Sequence, residues 1–238
     1  MHKEKKRISI IIVTYNAGEL LQECLNSIYE QSSQNINIIV IDGGSTDETV
    51  PLLKENDAKI GYWKSENDKG IYDAMNKALL QLNTEWVYFL GADDTLLPEF
   101  STFLGELNDP TVVYYANVLY KGKKCSGEVS PYRQAKSGLF HQAIVYPSTV
   151  FLKYKYNTRY PIAADYGLNM QLYRDPDFSF QYKDYVIANY NDTGVSAIAI
   201  DTNFEADKSK MILHNFGFKI WMRYIFRRIK ASISSKPR

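Results

Sequence analysis

Two adjacent carboxylates, Asp93 and Asp94, follow the apolar run Trp86-Val-Tyr-Phe-Leu90, so burying that run as a strand leaves two negative charges at its rim. Mutual repulsion makes such a pair costly unless a cation shares it. Hard oxygen ligands suit Mg²⁺ or Mn²⁺, which bridge carboxylates to a diphosphate and neutralise the charge that grows as a nucleotide leaves. The competing explanation is an acidic first helical turn, where Asp is ordinary. Two other apolar runs end in polar clusters, Thr14-Tyr15-Asn16 and Asp42-Gly43-Gly44-Ser45. In open α/β sheets ligands lie beyond the carboxyl ends of the strands, so three such ends converge on one crevice. Turn chemistry accounts for any one cluster alone, and their coincidence is what points to a ligand. Neither G-x-G-x-x-G nor G-x-x-x-x-G-K-[ST] occurs, which leaves phosphate to be handled through metal.

The elements that must position these groups are legible as an alternation. Ile8 to Val13, Ile36 to Ile41, Lys59 to Trp63 and Trp86 to Leu90 read as short strands, the apolar runs suiting burial on both faces. Helical spacing follows at Leu20 to Tyr29, after Ser45, and from Ile71 to Leu82. Asn16 with Glu19, and Ser45 with Glu48, have the spacing of capping boxes. Strands alternating with helices imply a mostly parallel sheet covered on both faces. Beyond about residue 110 the pattern loosens into strand-like stretches at Val112 to Tyr120, Ala143 to Val150 and Phe178 to Ala188, with a helix over Asp165 to Tyr173.

Composition narrows the class. With 238 residues, 45% of them hydrophobic and 23% charged, the chain matches one domain with a substantial core. Its net charge of +1 offers no global field for nucleic acid. The two cysteines, Cys24 and Cys125, are no disulfide framework, and a reducing cytosol is expected. The basic stretch before Ile8 meets an apolar run too short for a signal core or a membrane span.

Four segments together carry a resemblance: Ile10-Ile-Ile-Val-Thr-Tyr-Asn16, Val40-Ile-Asp-Gly-Gly-Ser-Thr-Asp47, Ser65-Glu-Asn-Asp-Lys-Gly-Ile-Tyr-Asp-Ala-Met-Asn76 and Phe89-Leu-Gly-Ala-Asp-Asp94. In order and spacing they resemble the family 2 glycosyltransferases, most nearly bacterial enzymes that build exopolysaccharide or O-antigen repeat units. The resemblance implies a GT-A fold, an α/β domain with a Rossmann-like, mostly parallel sheet flanked by helices and a mixed acceptor-side half. It divides the chain into a glycosyltransferase domain over 1–207, with a nucleotide half over 8–110 and an acceptor half over 111–207, and a tail over 208–238. It also implies that Thr14, Tyr15 and Asn16 line the nucleotide pocket and that Asp42 faces the base, favouring a UDP-sugar. Gly70, Asp73 and Asn76 would flank nucleotide and ribose. Asp94, assisted by Asp93, would hold Mn²⁺ or Mg²⁺, and Asp93 would also touch the nucleotide-sugar. His141 and Gln142 would lie near acceptor or diphosphate. Asp165, in Ala164-Asp165-Tyr166, falls where the family places the general base of an inverting displacement; spacing alone would make it a helix cap. Two departures stand out, since Gly43 and Gly91 occupy positions where the family often carries an acid.

The implied reaction is transfer of a hexose or N-acetylhexosamine to a hydroxyl of a lipid-linked oligosaccharide. The rival readings are a non-catalytic sugar-binding or assembly protein that retains the fold, and a nucleotidyltransferase. Of the tyrosines, Tyr15, Tyr62, Tyr72 and Tyr166 lie in or beside the motifs, where their rings could stack on base or sugar. After Asp207 no acid occurs, while Lys219, Arg223, Arg227, Arg228 and Lys230 interleave with Ile220, Trp221, Tyr224, Ile225 and Ile229. A C-terminal amphipathic helix of this kind either lies on an anionic bilayer, placing the protein peripherally on the inner face of the plasma membrane, or packs on protein.

Overall fold

The computed structural model describes residues 6–191 and 200–234. The nucleotide half runs β1 (Ile8–Thr14), α1 (Gly18–Tyr29), β2 (Ile36–Asp42), α2 (Thr49–Glu55), β3 (Tyr62–Ser65), α3 (Ile71–Ala78), β4 (Trp86–Gly91), β5 (Thr95–Leu96) and α4 (Glu99–Gly105). The remainder is β6 (Val112–Tyr120), β7 (Lys123–Cys125), α5 (Pro131–Ser137), a 3₁₀ turn at His141–Ala143, β8 (Ile144–Pro147), α6 (Val150–Lys153), α7 (Ala164–Arg174), β9 (Ser179–Tyr190) and α8 (Thr202–Ser234).

One sheet carries the order β3-β2-β1-β4-β8-β6-β9-β5, with β7 paired to β6. The first four strands are parallel, and β8 enters antiparallel to both β4 and β6. The alternation of the buried run in β1 explains its two-sided burial. Ile8, Ile10 and Ile12 join the core beneath α1 and α4, while Ile11 joins Ile39, Val87 and Phe89 on the face covered by α3 and α7. Each fully buried Ile contributes about 1.5–3 kcal/mol, so this run anchors the sheet that presents Thr14 at its end.

Several boundaries differ from the sequence reading. The third strand starts three residues late, at Tyr62, and the stretch from Ala143 splits into β8 and the short α6. Neither expected capping box forms. Asn16 takes a left-handed φ of 48° and its side chain accepts the Thr46 N–H (2.9 Å), whereas the start of α1 is capped by Thr49 Oγ1, which takes the N–H groups of Ala17 and Gly18 (both 3.0 Å). The side-chain oxygens of Asn16 and Ser45 are drawn across to other loops instead of to their own helices.

The expected boundary between residues 207 and 208 falls inside α8. That helix is broken at Gly217 (φ 81°, ψ 170°), where a left-handed φ favours glycine. Trp221 Nε1 spans the break by donating to Ser209 Oγ (3.0 Å). Tyr224 is buried, and Ile220, Trp221 and Ile225 pack against the same core, so four of the five apolar residues of the expected membrane face are docked on protein. Ile229 stays exposed, alongside Phe218, Met222 and Phe226.

Candidate active site

The loops beyond β1, β2 and β4 do converge. Thr14 and Asp42 are register partners, and the Gly43 N–H donates to the Thr14 carbonyl (2.8 Å). The Thr14 hydroxyl is buried and takes no partner among the described residues. Asn16 staples the first loop to the second, since its N–H donates to Ser45 Oγ (2.7 Å) while its side chain holds Thr46. The Tyr15 ring remains 65% exposed beside these loops.

Asp42 organises the second loop. It is fully buried, and its carboxylate accepts from the N–H groups of Gly44 (3.1 Å) and Ser45 (2.9 Å), from the Ser65 hydroxyl (2.6 Å) and from the Ser45 hydroxyl. Both oxygens are therefore engaged in organising the loop. Asn76 is likewise committed, its amide donating to the Tyr156 carbonyl (2.9 Å) and accepting the Tyr156 N–H (3.0 Å), so it clamps α3 to the acceptor half. Asp73 accepts the Lys69 N–H (3.0 Å) and pairs with Lys77 (3.4 Å), closing the turn at Gly70, whose φ of 108° suits glycine.

At the end of β4 the acidic pair gathers around Gly91. A Cβ at that position would lie 2.5 Å from Asp94 Oδ2 and 2.9 Å from Asp93 Oδ1, so glycine makes room for two carboxylates to approach one point. Asp94 is buried. Its Oδ2 accepts from Gln142 Nε2 (2.8 Å) and its Oδ1 from the Asn191 N–H (2.7 Å). Burial pushes its pKa up to about 6; the Asn191 N–H opposes this, the charge of Asp93 adds to it, and Gln142 opposes it. Behind the pair, burial and then the Asp94 and Asp93 charges push the Cys24 thiol well up, keeping it protonated. Among the described residues no group of three or more His, Cys, Asp or Glu side chains could hold a metal alone. Two converging carboxylates fit an ion whose remaining ligands come from a diphosphate.

The 3₁₀ turn joins this pair to the expected base. Gln142 touches Asp94, while the neighbouring His141 stacks on Phe89 (5.0 Å between centroids) and bonds Tyr156 Oη (3.0 Å). Burial pushes the His141 pKa below its ordinary value against the pull of Asp165, so the ring is neutral. Asp165 lies in the first turn of α7, with Ala163 and not Asp165 as the capping residue. The Tyr72 hydroxyl lies 2.6 Å from Asp165 Oδ1 and 2.8 Å from the Ile162 carbonyl. Burial and the Asp165 charge raise the Tyr72 pKa, which keeps the phenol a donor.

Tyr72 is thus no stacking platform. Nor is Tyr166, whose hydroxyl donates to the Ala135 carbonyl (2.8 Å) and whose ring packs on Phe204 (4.9 Å). Tyr62 packs against the core beneath α3. Sequence reasoning missed Asp201. Its buried carboxylate takes the N–H groups of Ile162 (3.0 Å), Ala163 (3.1 Å) and Phe204 (2.9 Å), tying the start of α8 to the segment that delivers Asp165. A capping Asp before Phe204 is visible locally, but its reach to residues 162 and 163 is not.

The model of glycosyl transferase family 2 matches residues 9–179. A PGL/p-HBAD biosynthesis glycosyltransferase of Mycobacterium bovis (strain BCG / Pasteur 1173P2) is 33% identical over 209 residues, covering 82% of this chain and 81% of that protein. Residues 1–349 of S. aureus TarS in complex with UDP-GlcNAc superpose with a TM-score of 0.70 at 17% identity, over 94% of this chain and 73% of that one. Against a longer TarS chain, this chain spans 43% of the length. The mannosyltransferase PcManGT from Pyrobaculum calidifontis, in complex with GDP-Man and Mn²⁺, gives a TM-score of 0.61 at 19% identity, over 90% and 64% of the two chains. These likenesses identify the fold as GT-A.

Proposed function

This chain belongs to glycosyl transferase family 2, and from that premise we propose that it moves a hexose or N-acetylhexosamine from a UDP-sugar to a hydroxyl of a lipid-linked oligosaccharide, with inversion, in bacterial surface polysaccharide synthesis. The observation that carries the reading is the chain of contacts from Asp94 through Gln142, its neighbour His141, Tyr156 and Tyr72 to Asp165. It sets an acidic pair suited to a diphosphate beside a carboxylate suited to a proton.

Asp165 takes the proton of the acceptor hydroxyl as that oxygen attacks the anomeric carbon from the face opposite the leaving group. The Tyr72 hydroxyl holds Asp165 Oδ1, which orients the carboxylate; among the described residues Oδ2 takes no hydrogen bond. Asp94, fixed by Gln142 and Asn191, and Asp93 would hold Mn²⁺ or Mg²⁺, which when bound supplies positive charge to the departing diphosphate. The UDP-GlcNAc in the TarS complex and the Mn²⁺ in the mannosyltransferase complex favour this donor class and a divalent ion.

The proposal includes residence on the anionic inner face of the plasma membrane. Phe218, Met222, Phe226 and Ile229 form an exposed stripe on the second part of α8, and Lys219, Arg223, Arg227 and Lys230 lie among them. Each basic residue near such a surface contributes roughly 1 kcal/mol, while the aromatic side chains enter the headgroup layer. No helix among the described residues is long and apolar enough to cross a membrane.

Isothermal titration with UDP, with and without Mn²⁺, on the protein and on Asp94→Ala tests the donor site. Metal-dependent binding lost in the variant is expected. Proton NMR of the product anomer then reads inversion, and absence of any donor turnover would favour the non-catalytic alternative.

A further inference from the structure

Resting on the divalent-ion reading of the acid pair, we infer that Gln142 is a third protein ligand of that ion, through its carboxamide oxygen. Asp93 and Asp94 supply only part of the octahedral oxygen shell that Mg²⁺ or Mn²⁺ takes, and among the described residues no His, Cys, Asp or Glu side chain joins them to make a group of three. A carbonyl oxygen suits the same hard ions. As a neutral ligand it adds an oxygen without a third negative charge beside the buried Asp94, where like charges are costly.

The geometry centres on one atom. Asp94 Oδ2 is the oxygen that lies over Gly91, 2.5 Å from where a Cβ would stand, and it is also the oxygen that accepts from Gln142 Nε2 (2.8 Å). Asp93 Oδ1 comes to 2.9 Å from the same Cβ position. Two carboxylates from the end of β4 and a carboxamide from the 3₁₀ turn before β8 therefore meet around one point, which a side chain at position 91 would fill. Nitrogen and oxygen share an edge of the planar carboxamide, so an amide that donates to Asp94 Oδ2 brings its own oxygen beside that atom. Among the described residues Gln142 Oε1 accepts no hydrogen bond, and the side chain is half-buried.

The turn is held to the strand that leads to the acids. The Gln142 carbonyl accepts from the Tyr88 hydroxyl (2.7 Å), and the neighbouring His141 ring stacks on Phe89. Tyr88 and Phe89 both belong to β4, so the strand that positions the carboxylates also positions the amide.

The test uses the full chain with saturating UDP and with Mn²⁺ as the probe. Electron paramagnetic resonance reads free Mn²⁺ on the parent, on Gln142→Leu, which offers no oxygen, and on Gln142→Glu, which keeps an oxygen and loses the N–H. Mn²⁺ affinity about 10- to 100-fold weaker in Gln142→Leu is expected, with Gln142→Glu within about 3-fold of the parent or tighter. Electron–nuclear double resonance on protein labelled with ¹³C at the glutamine carboxamide should show a carbon coupled to bound Mn²⁺, and Gln142→Leu should lack it.

Unchanged Mn²⁺ affinity in Gln142→Leu would overturn the assignment. So would a Gln142→Glu variant as weak as Gln142→Leu, which would make Gln142 only the donor that steadies Asp94. Absence of the ¹³C coupling in the parent would do the same, even if the added charge of Gln142→Glu tightened binding. If the parent binds no Mn²⁺ with or without UDP, the divalent-ion reading itself fails, an outcome distinct from the others.

Discussion

The two halves of the site are held by different means. In the nucleotide half the loops are stapled to their neighbours by their own polar residues: Asn16 to Ser45 and Thr46, Asp42 to Ser45 and Ser65, Asp68 to Gly70. In the acceptor half Asp165, the carboxylate proposed as the base, is fixed from afar, by Tyr72 on α3 and by Asp201, which secures Ile162 and Ala163 just upstream. Parallel strands ending side by side make the first kind of support cheap, since adjacent ends lie one strand spacing apart. The second kind requires the whole sheet to be assembled before Asp165 is in place.

The sharpest break in this comparison is Asp165→Asn, which keeps the shape of the base and removes its proton affinity. It is expected to lower kcat about 10²- to 10⁴-fold in a donor-transfer assay, with UDP affinity by titration unchanged. A drop in UDP affinity of the same size would place Asp165 in the nucleotide half instead. Tyr72→Phe removes only the hydroxyl that orients that carboxylate. A fall in kcat of about 10-fold, with donor KM retained, is the expected result, and an unchanged kcat would make the contact merely structural.

Asp201→Ala leaves three N–H groups without their acceptor. Urea unfolding should show a loss of about 1–3 kcal/mol, accompanied by reduced kcat because the Asp165 segment loosens while UDP binding persists. Equal loss of UDP binding would blur the distinction between the two halves.

The smallest effect concerns the acceptor half alone. Lys153 and the Tyr154 hydroxyl hold the Asp175 carboxylate down at about 2, below its ordinary 3.8. A folded value below the unfolded one contributes stability above about pH 4 that is lost as pH falls through 2. Asp175→Asn should therefore be less stable than the parent at pH 5, and the two should converge near pH 2 in urea titrations. Parallel curves at both pH values would show that the pair contributes nothing.

Much of the nucleotide half was legible because its signals are local. The apolar runs of β1 and β4 mark strands buried on both faces, and their polar ends mark the crevice. The first strand was read to within one residue, and the helix carrying Asp165 to within one at each end. The capping boxes misled because Asn16 and Ser45 have equally good partners across the crevice, and spacing along one chain segment contains no information about those. The tail stayed open between bilayer and protein for a related reason. Helical period identifies an apolar face, yet Ile220 to Ile225 dock on the protein and a second stripe, with Phe218 and Phe226, faces outward.

By itself the sequence determined the alternation of strands and helices, the three polar strand ends and the family to which they belong, since each depends on residue order within short windows. Tertiary structure alone decided that β8 enters antiparallel beside β4, carrying Gln142 to Asp94 and His141 to the neighbourhood of Asp165. It also decided that the Asp42 carboxylate gathers the loops after β2 and β3, through Ser45 and Ser65, and that Asp68 packs against Gly43. The physical reason is that a side chain's partner is set by which elements the sheet order brings together, and contacts spanning 48 or 93 residues are fixed by that packing.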